Sequence, residues 1–156
     1  MTDPATDRHD ARQRALTITR VFEAPRALVY QMWTEPHHMK RWWGPRGFIT
    51  LSAQVDLRPG GFWRIQSRKF DGTEMAEQGV FRQVVEAERL VFTHAWEEPD
   101  GHLGHETLVT LTFTGDGDKS VMTFHQAEFL TIESRDGHLQ GWGESFDMLK
   151  EYLGNA

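Results

Sequence analysis

A chain of 156 residues with no cysteine and a formal charge of -6 fits one domain large enough to bury its own core, and it excludes disulfides and thiolate chemistry. Acidic residues outnumber basic ones 23 to 17 with no basic run, which argues against nucleic acid and anionic membrane, since clustered Lys and Arg hold both. No apolar run approaches the roughly 20 residues that cross a bilayer, and the lack of cysteine agrees with a cytoplasmic location.

Residues 1–14, MTDPATDRHDARQR, hold no apolar signal segment and read as a disordered leader ahead of a single domain over 15–156. Alternation over 15–22 predicts a first strand. Pro25 suits the first turn of a helix, and Leu28, Val29, Met32 and Trp33 follow at helical spacing to about Thr34. Pro36 opens a second short helix carrying Met39, Trp42 and Trp43, which Gly44 and Pro45 stop. Neighbours on a helix diverge by about 100°, so Trp42 and Trp43 are expected on different surfaces. Strands are then predicted at 48–57, 62–69, 74–85, 89–96, 108–114 and 120–126, separated by turn chemistry such as Arg58 to Gly61 and Asp71-Gly72. Residues 127–135 carry no clear signal.

The longest helical pattern covers 137–153, where Leu139, Trp142, Phe146, Leu149 and Leu153 recur at steps of three and four, with Met148 and Tyr152 widening the stripe. Asp136 is the expected N-cap and Gly154 the stop. Gly141 and Gly143 flank Trp142, and each glycine inside a helix costs roughly 0.5–1 kcal/mol relative to alanine. Clearance for a ligand or close packing against a sheet compensates that cost. The order strand, two short helices, six strands, long helix defines an α+β fold. A seven-stranded antiparallel sheet with one amphipathic helix must curl around it, leaving a space walled by aromatics.

The runs APRALVYQMWTEPHHMKRWWGP (24–45), DLRPGG (56–61), FDGTE (70–74), GVFRQVVEAERLVFTHAW (79–96) and GHLQGWGESFDMLKEYL (137–153) together resemble the bacterial relatives of the heat-shock protein 90 ATPase activator. That family belongs to the SRPBCC superfamily, with the START-like domains. The resemblance implies a helix-grip fold, in which a curved antiparallel sheet holds the C-terminal helix and the two short helices close one end of a hydrophobic cavity. It leaves function open, because such folds host binders, enzymes and partners of other proteins.

Three readings follow. The first is binding of a small hydrophobic or aromatic ligand, with Trp43, Trp63, Phe81, Phe92, Phe113, Phe124, Trp142 and Phe146 as candidate walls, each of which doubles as a candidate for plain core. The second is a chaperone-interacting module of the stress response. The third is a cyclase or hydrolase, for which His94, His125 and Glu77 are the candidate acid–base groups, since each lies in a predicted strand and a desolvated carboxylate or imidazole can move a proton. Neither His102, His105 and Glu106 nor His37 and His38 offers the converging ligand set of a metal site, so no metal or cofactor is expected. Ser145 lacks the strand and glycines of a nucleophile elbow. A monomer and a homodimer are equally compatible with the pattern.

Overall fold

A computed structural model describes residues 11–154 of the chain. Residues 1–10 of the expected leader lie outside it; residues 11–13 form a helical turn, and the Arg14 carbonyl accepts a 3.1 Å hydrogen bond from the Phe129 amide. The elements are β1 (Leu16–Phe22), α1 (Arg26–Thr34), α2 (Pro36–Trp42), β2 (Phe48–Val55), β3 (Phe62–Lys69), β4 (Glu74–Val85), β5 (Arg89–Trp96), β6 (Thr107–Thr114), β7 (Ser120–Ala127) and α3 (Ile132–Gly154).

All seven strands join one antiparallel sheet in the order β1-β7-β6-β5-β4-β3-β2. The strands from β2 to β7 form a meander, while β1 pairs with the last strand, Leu16 against Gln126 and Phe22 against Ser120. The sheet curls into a half-barrel around α3, the helix-grip arrangement. Alternation places Leu90, Phe92 and His94 of β5, Val109, Leu111 and Phe113 of β6, and Met122, Phe124 and Gln126 of β7 on the buried face.

Trp33 of α1 is the hub of the core. Its ring lies 4.8 Å from that of Trp42, 5.5 Å from Trp43, 5.9 Å from both Trp142 and Phe146, and 6.0 Å from Phe124. Such offset and edge-on contacts each add about 0.5–1.5 kcal/mol beyond the area they bury.

Three sequence expectations are corrected here. Trp42 and Trp43 do not face different surfaces: both are buried, with ring centroids 5.4 Å apart. Trp43 is the residue after the helix and adopts an extended backbone (φ -68, ψ 138), so the helical step between neighbours does not apply to it. The closing helix starts at Ile132 rather than near Gly137, because the Thr131 hydroxyl accepts a 3.0 Å hydrogen bond from the Ser134 amide and caps the first turn. Asp136 therefore sits inside the helix and pairs with Arg135. Leu139 falls off the buried stripe of Trp142, Phe146 and Leu149 and is exposed.

Candidate functional site

The two halves of α3 present different side chains to the sheet. Phe146 and Leu149 fill the C-terminal half completely. Apart from Trp142, the N-terminal half offers only Ser134, Gly137, His138 and Gly141, too little volume to reach the opposite wall, and a half-open cavity of about 300 Å³ remains. Its other walls include Trp43, Pro45, Phe48, Met75, Trp96 and Trp142. A methyl group added at Gly141 would meet only Pro45 Cγ, at an ordinary 3.9 Å, and one at Gly137 would meet nothing within 4 Å. Neither glycine is needed for helix-to-sheet packing. Both leave open space beside a helix that alanine would stabilise.

The sheet side of the cavity carries a buried acid–base pair. Glu77 on β4 and His94 on β5 are 5% and 2% exposed, and His94 Nε2 lies 2.9 Å from Glu77 Oε1. Taking a carboxylate and an imidazole out of water costs several kcal/mol per ion if both are charged, so such a pair inside an apolar cavity marks a candidate site. A second histidine faces them from α3, its ring centroid 5.9 Å from that of His94. Trp96 Nε1–H donates to His138 Nε2 at 2.9 Å, and His138 Nδ1–H donates to the Ser134 carbonyl at 2.7 Å. An indole can only donate and a carbonyl can only accept, so these two bonds fix His138 as the neutral Nδ1–H tautomer. Burial, aided by the nearby His94, holds its pKa below the ordinary histidine value, against opposing effects of the Ser134 hydrogen bond and Glu77.

A hydrogen-bonded chain braces the same region: Trp142 Nε1–H donates to Gln126 Oε1 (2.8 Å), Gln126 Nε2–H to the Thr107 hydroxyl (2.9 Å), and that hydroxyl to the His94 carbonyl (3.2 Å). Trp63 Nε1–H donates to the Thr93 carbonyl at 3.1 Å across Gly79, where any side chain would begin 1.7 Å from that carbonyl oxygen. Ser145 donates back to the Gly141 carbonyl of its own helix at 3.1 Å, so its hydroxyl is committed.

The family model described as "Activator of Hsp90 ATPase homolog 1-like protein" matches residues 23–154. The chain belongs to this family. Bacterial proteins of known structure share its fold. The AHSA1 protein of Silicibacter pomeroyi is 22% identical, with a TM-score of 0.82 over 90% of this chain and 97% of that one. A protein from Arthrobacter aurescens is 20% identical, with a TM-score of 0.83 over 94% and 90%. Protein NE0264 from Nitrosomonas europaea is 23% identical, with a TM-score of 0.77 over 92% and 96%. Among curated proteins, none matches.

Of the eight aromatics expected to wall the cavity, Trp43 and Trp142 line it. Trp63, Phe81 and Phe92 instead surround a gap of only about 10 Å³ deeper in the core. Phe124 and Phe146 are fully buried against Trp33 and Trp142, and Phe113 packs edge-on against Tyr30 at 5.8 Å. The large rings of the central strands reach the middle of the half-barrel and fill it, which displaces the open volume to one end. Glu77 and His94 meet at the cavity. His125 does not: it sits between the inward residues Phe124 and Gln126, so it faces the outer side of β7 and hydrogen-bonds the Thr17 hydroxyl at 2.8 Å. The reading from sequence missed His138, whose step of four from Trp142 was visible but lay next to the supposed helix start.

Among the described residues, Glu35, His37 and His38 bring one donor atom each within 4.8 Å of one another. They open a seven-residue helix, whose N-terminal dipole disfavours a cation, and His38 Nδ1 is engaged with the Tyr152 hydroxyl at 2.8 Å. His102 pairs with Asp100, and His105 with the Glu128 carbonyl, so these two do not converge. No helix among the described residues is long and apolar enough to cross a membrane.

Proposed function

We propose that this protein binds a small, flat, largely apolar molecule in the cavity between the N-terminal half of α3 and the ends of β3, β4 and β5. The observation that carries this is the cavity of about 300 Å³ itself, with tryptophan and proline on its walls and the Glu77–His94 pair on its floor. That volume lies at the lower end of the roughly 300–1,000 Å³ range of ligand clefts. It fits one or two fused rings. Trp43, Trp96 and Trp142 supply apolar contact, and the polar pair orients whichever hydrogen-bonding group the ligand carries. The absence of cysteine suits a cytoplasmic place of action.

Titration with bicyclic aromatic compounds, read by tryptophan emission and melting temperature, tests the proposal. A ligand at one hundred times its dissociation constant stabilises the folded state by about 2.7 kcal/mol. Gly141→Leu, which projects a side chain into the cavity, should abolish the effect. Unchanged emission and melting temperature across the whole set would refute binding.

A second reading, docking on a chaperone, is favoured by the family description and by Phe62 and Val80. These form a cross-strand pair on the outer face and are 41% and 37% exposed. Stimulation of the host chaperone's ATPase that Phe62→Ser removes would support it; absence of stimulation would end it.

A further inference from the structure

The two cavity histidines are not equivalent. His138 has both ring nitrogens engaged. His94 uses Nε2 towards Glu77, and its Nδ1 has no hydrogen-bond partner among the described residues. A carboxylate that accepts Nε2–H leaves the lone pair on Nδ1 and stabilises the imidazolium formed when that lone pair takes a proton. An oriented base in an apolar cavity is the arrangement that proton abstraction requires.

We infer that His94 is the general base of an isomerase that enolises small apolar ketones, with Glu77 as its positioning residue. This rests on the ligand-binding reading above. His94 Nδ1 removes a proton from the carbon beside the carbonyl; the C–H pair becomes a carbon–carbon double bond, and the carbonyl π pair moves onto oxygen. The imidazolium then returns the proton to that oxygen or to carbon, so the sum is an isomerisation and no oxidant or co-reactant enters. Ser67 stands on the inward face of β3, diagonally across from Glu77, because Ile65 pairs with Glu77 and Ser67 with Met75. It is buried, lines the cavity and has no side-chain partner among the described residues, which suits its hydroxyl to the enolate oxygen. An uncharged ketone fits better than a phosphorylated substrate, because Lys69 is the only lysine or arginine among the described residues of the walls, and Glu77 is an anion there.

The test uses 2-tetralone, 1-indanone and phenylacetone in deuterated water, with binding read by tryptophan emission and enolisation by loss of the NMR signal of the α-protons. His94→Gln keeps an N–H for Glu77 and removes the base. Glu77→Gln keeps the imidazole and carries the test independently should His94→Gln fail to fold. Bound ketone should exchange about 100-fold faster in the unaltered protein than in His94→Gln. In Glu77→Gln exchange should slow while the ketone still quenches tryptophan emission at the same concentration, a loss of kcat without a rise in KM that a merely structural role for Glu77 would not give. Quenching with exchange equal in all three proteins overturns the catalytic role and leaves binding standing. Neither quenching nor exchange with any ketone overturns both.

Discussion

Replacing Gly137 and Gly141 by alanine should make the protein more stable and its cavity less useful. Both positions lie inside α3, and the added methyl groups meet no atom closer than 3.9 Å. The backbone term is therefore unopposed, and each substitution should gain roughly 0.5–1 kcal/mol. Together they should gain about 1–2 kcal/mol, which for a chain of this size raises the melting temperature by about 2–8 °C. Each methyl displaces about the volume of one water, roughly 30 Å³, so the pair removes about a fifth of the 300 Å³ cavity. Calorimetry on the double variant reads the first effect, and titration with the best bicyclic ligand reads the second. A fall in melting temperature would mean that the helix packs more tightly here than its contacts indicate. A rise with unchanged affinity would mean that the glycines do not serve the cavity.

Gly79→Ala should be severely destabilising, by about 3 kcal/mol or more in urea unfolding, because its Cβ would lie 1.7 Å from the Thr93 carbonyl and 2.5 Å from Trp63 Nε1. Thr131→Ala removes the cap of α3 and should cost about 1 kcal/mol by the same assay. Stability should fall as the solution is acidified below pH about 6.5, the ordinary histidine value. Burial keeps His138 neutral in the folded state, while the unfolded chain binds the proton; the contribution is complete above that pH and is lost as pH falls towards the depressed folded value. Urea midpoints at pH 7.5 and 5.5 check this, and His138→Gln should flatten the dependence.

The strands were legible because their alternation and Asp-Gly turns are strong local signals. Short helices at Pro25 and Pro36 were legible for the same reason. What the sequence did not reveal depends on where the chain goes in three dimensions. Trp43 was misjudged because the helix ends one residue before it, a fact set by backbone dihedrals and not by periodicity. His125 and His94 look alike in sequence, and only the register of β5 and β7 separates them. Phe124 and Phe146 are the large apolar residues that line a cavity or plug one, and the choice was made by Trp33, which reaches both. Glu77 and His94 are distant in sequence, and the β4–β5 pairing that opposes Glu77 to Trp96 brings them together. The extra turns of α3 are hidden because Asp136 looks like the N-cap, whereas Thr131 caps the helix five positions earlier.

The pairing of β1 with β7 also orders events during synthesis. Strand β1 leaves the ribosome before β7, its one strand neighbour among the described residues, which completes at Ala127. At translation rates of about 5–20 residues per second, Leu16 to Phe22 must wait on the order of ten seconds for their partner. The nascent chain thus carries a sticky, unmatched edge until β7 emerges, and a circular permutant that moves this segment behind β7 would emerge with the delay abolished.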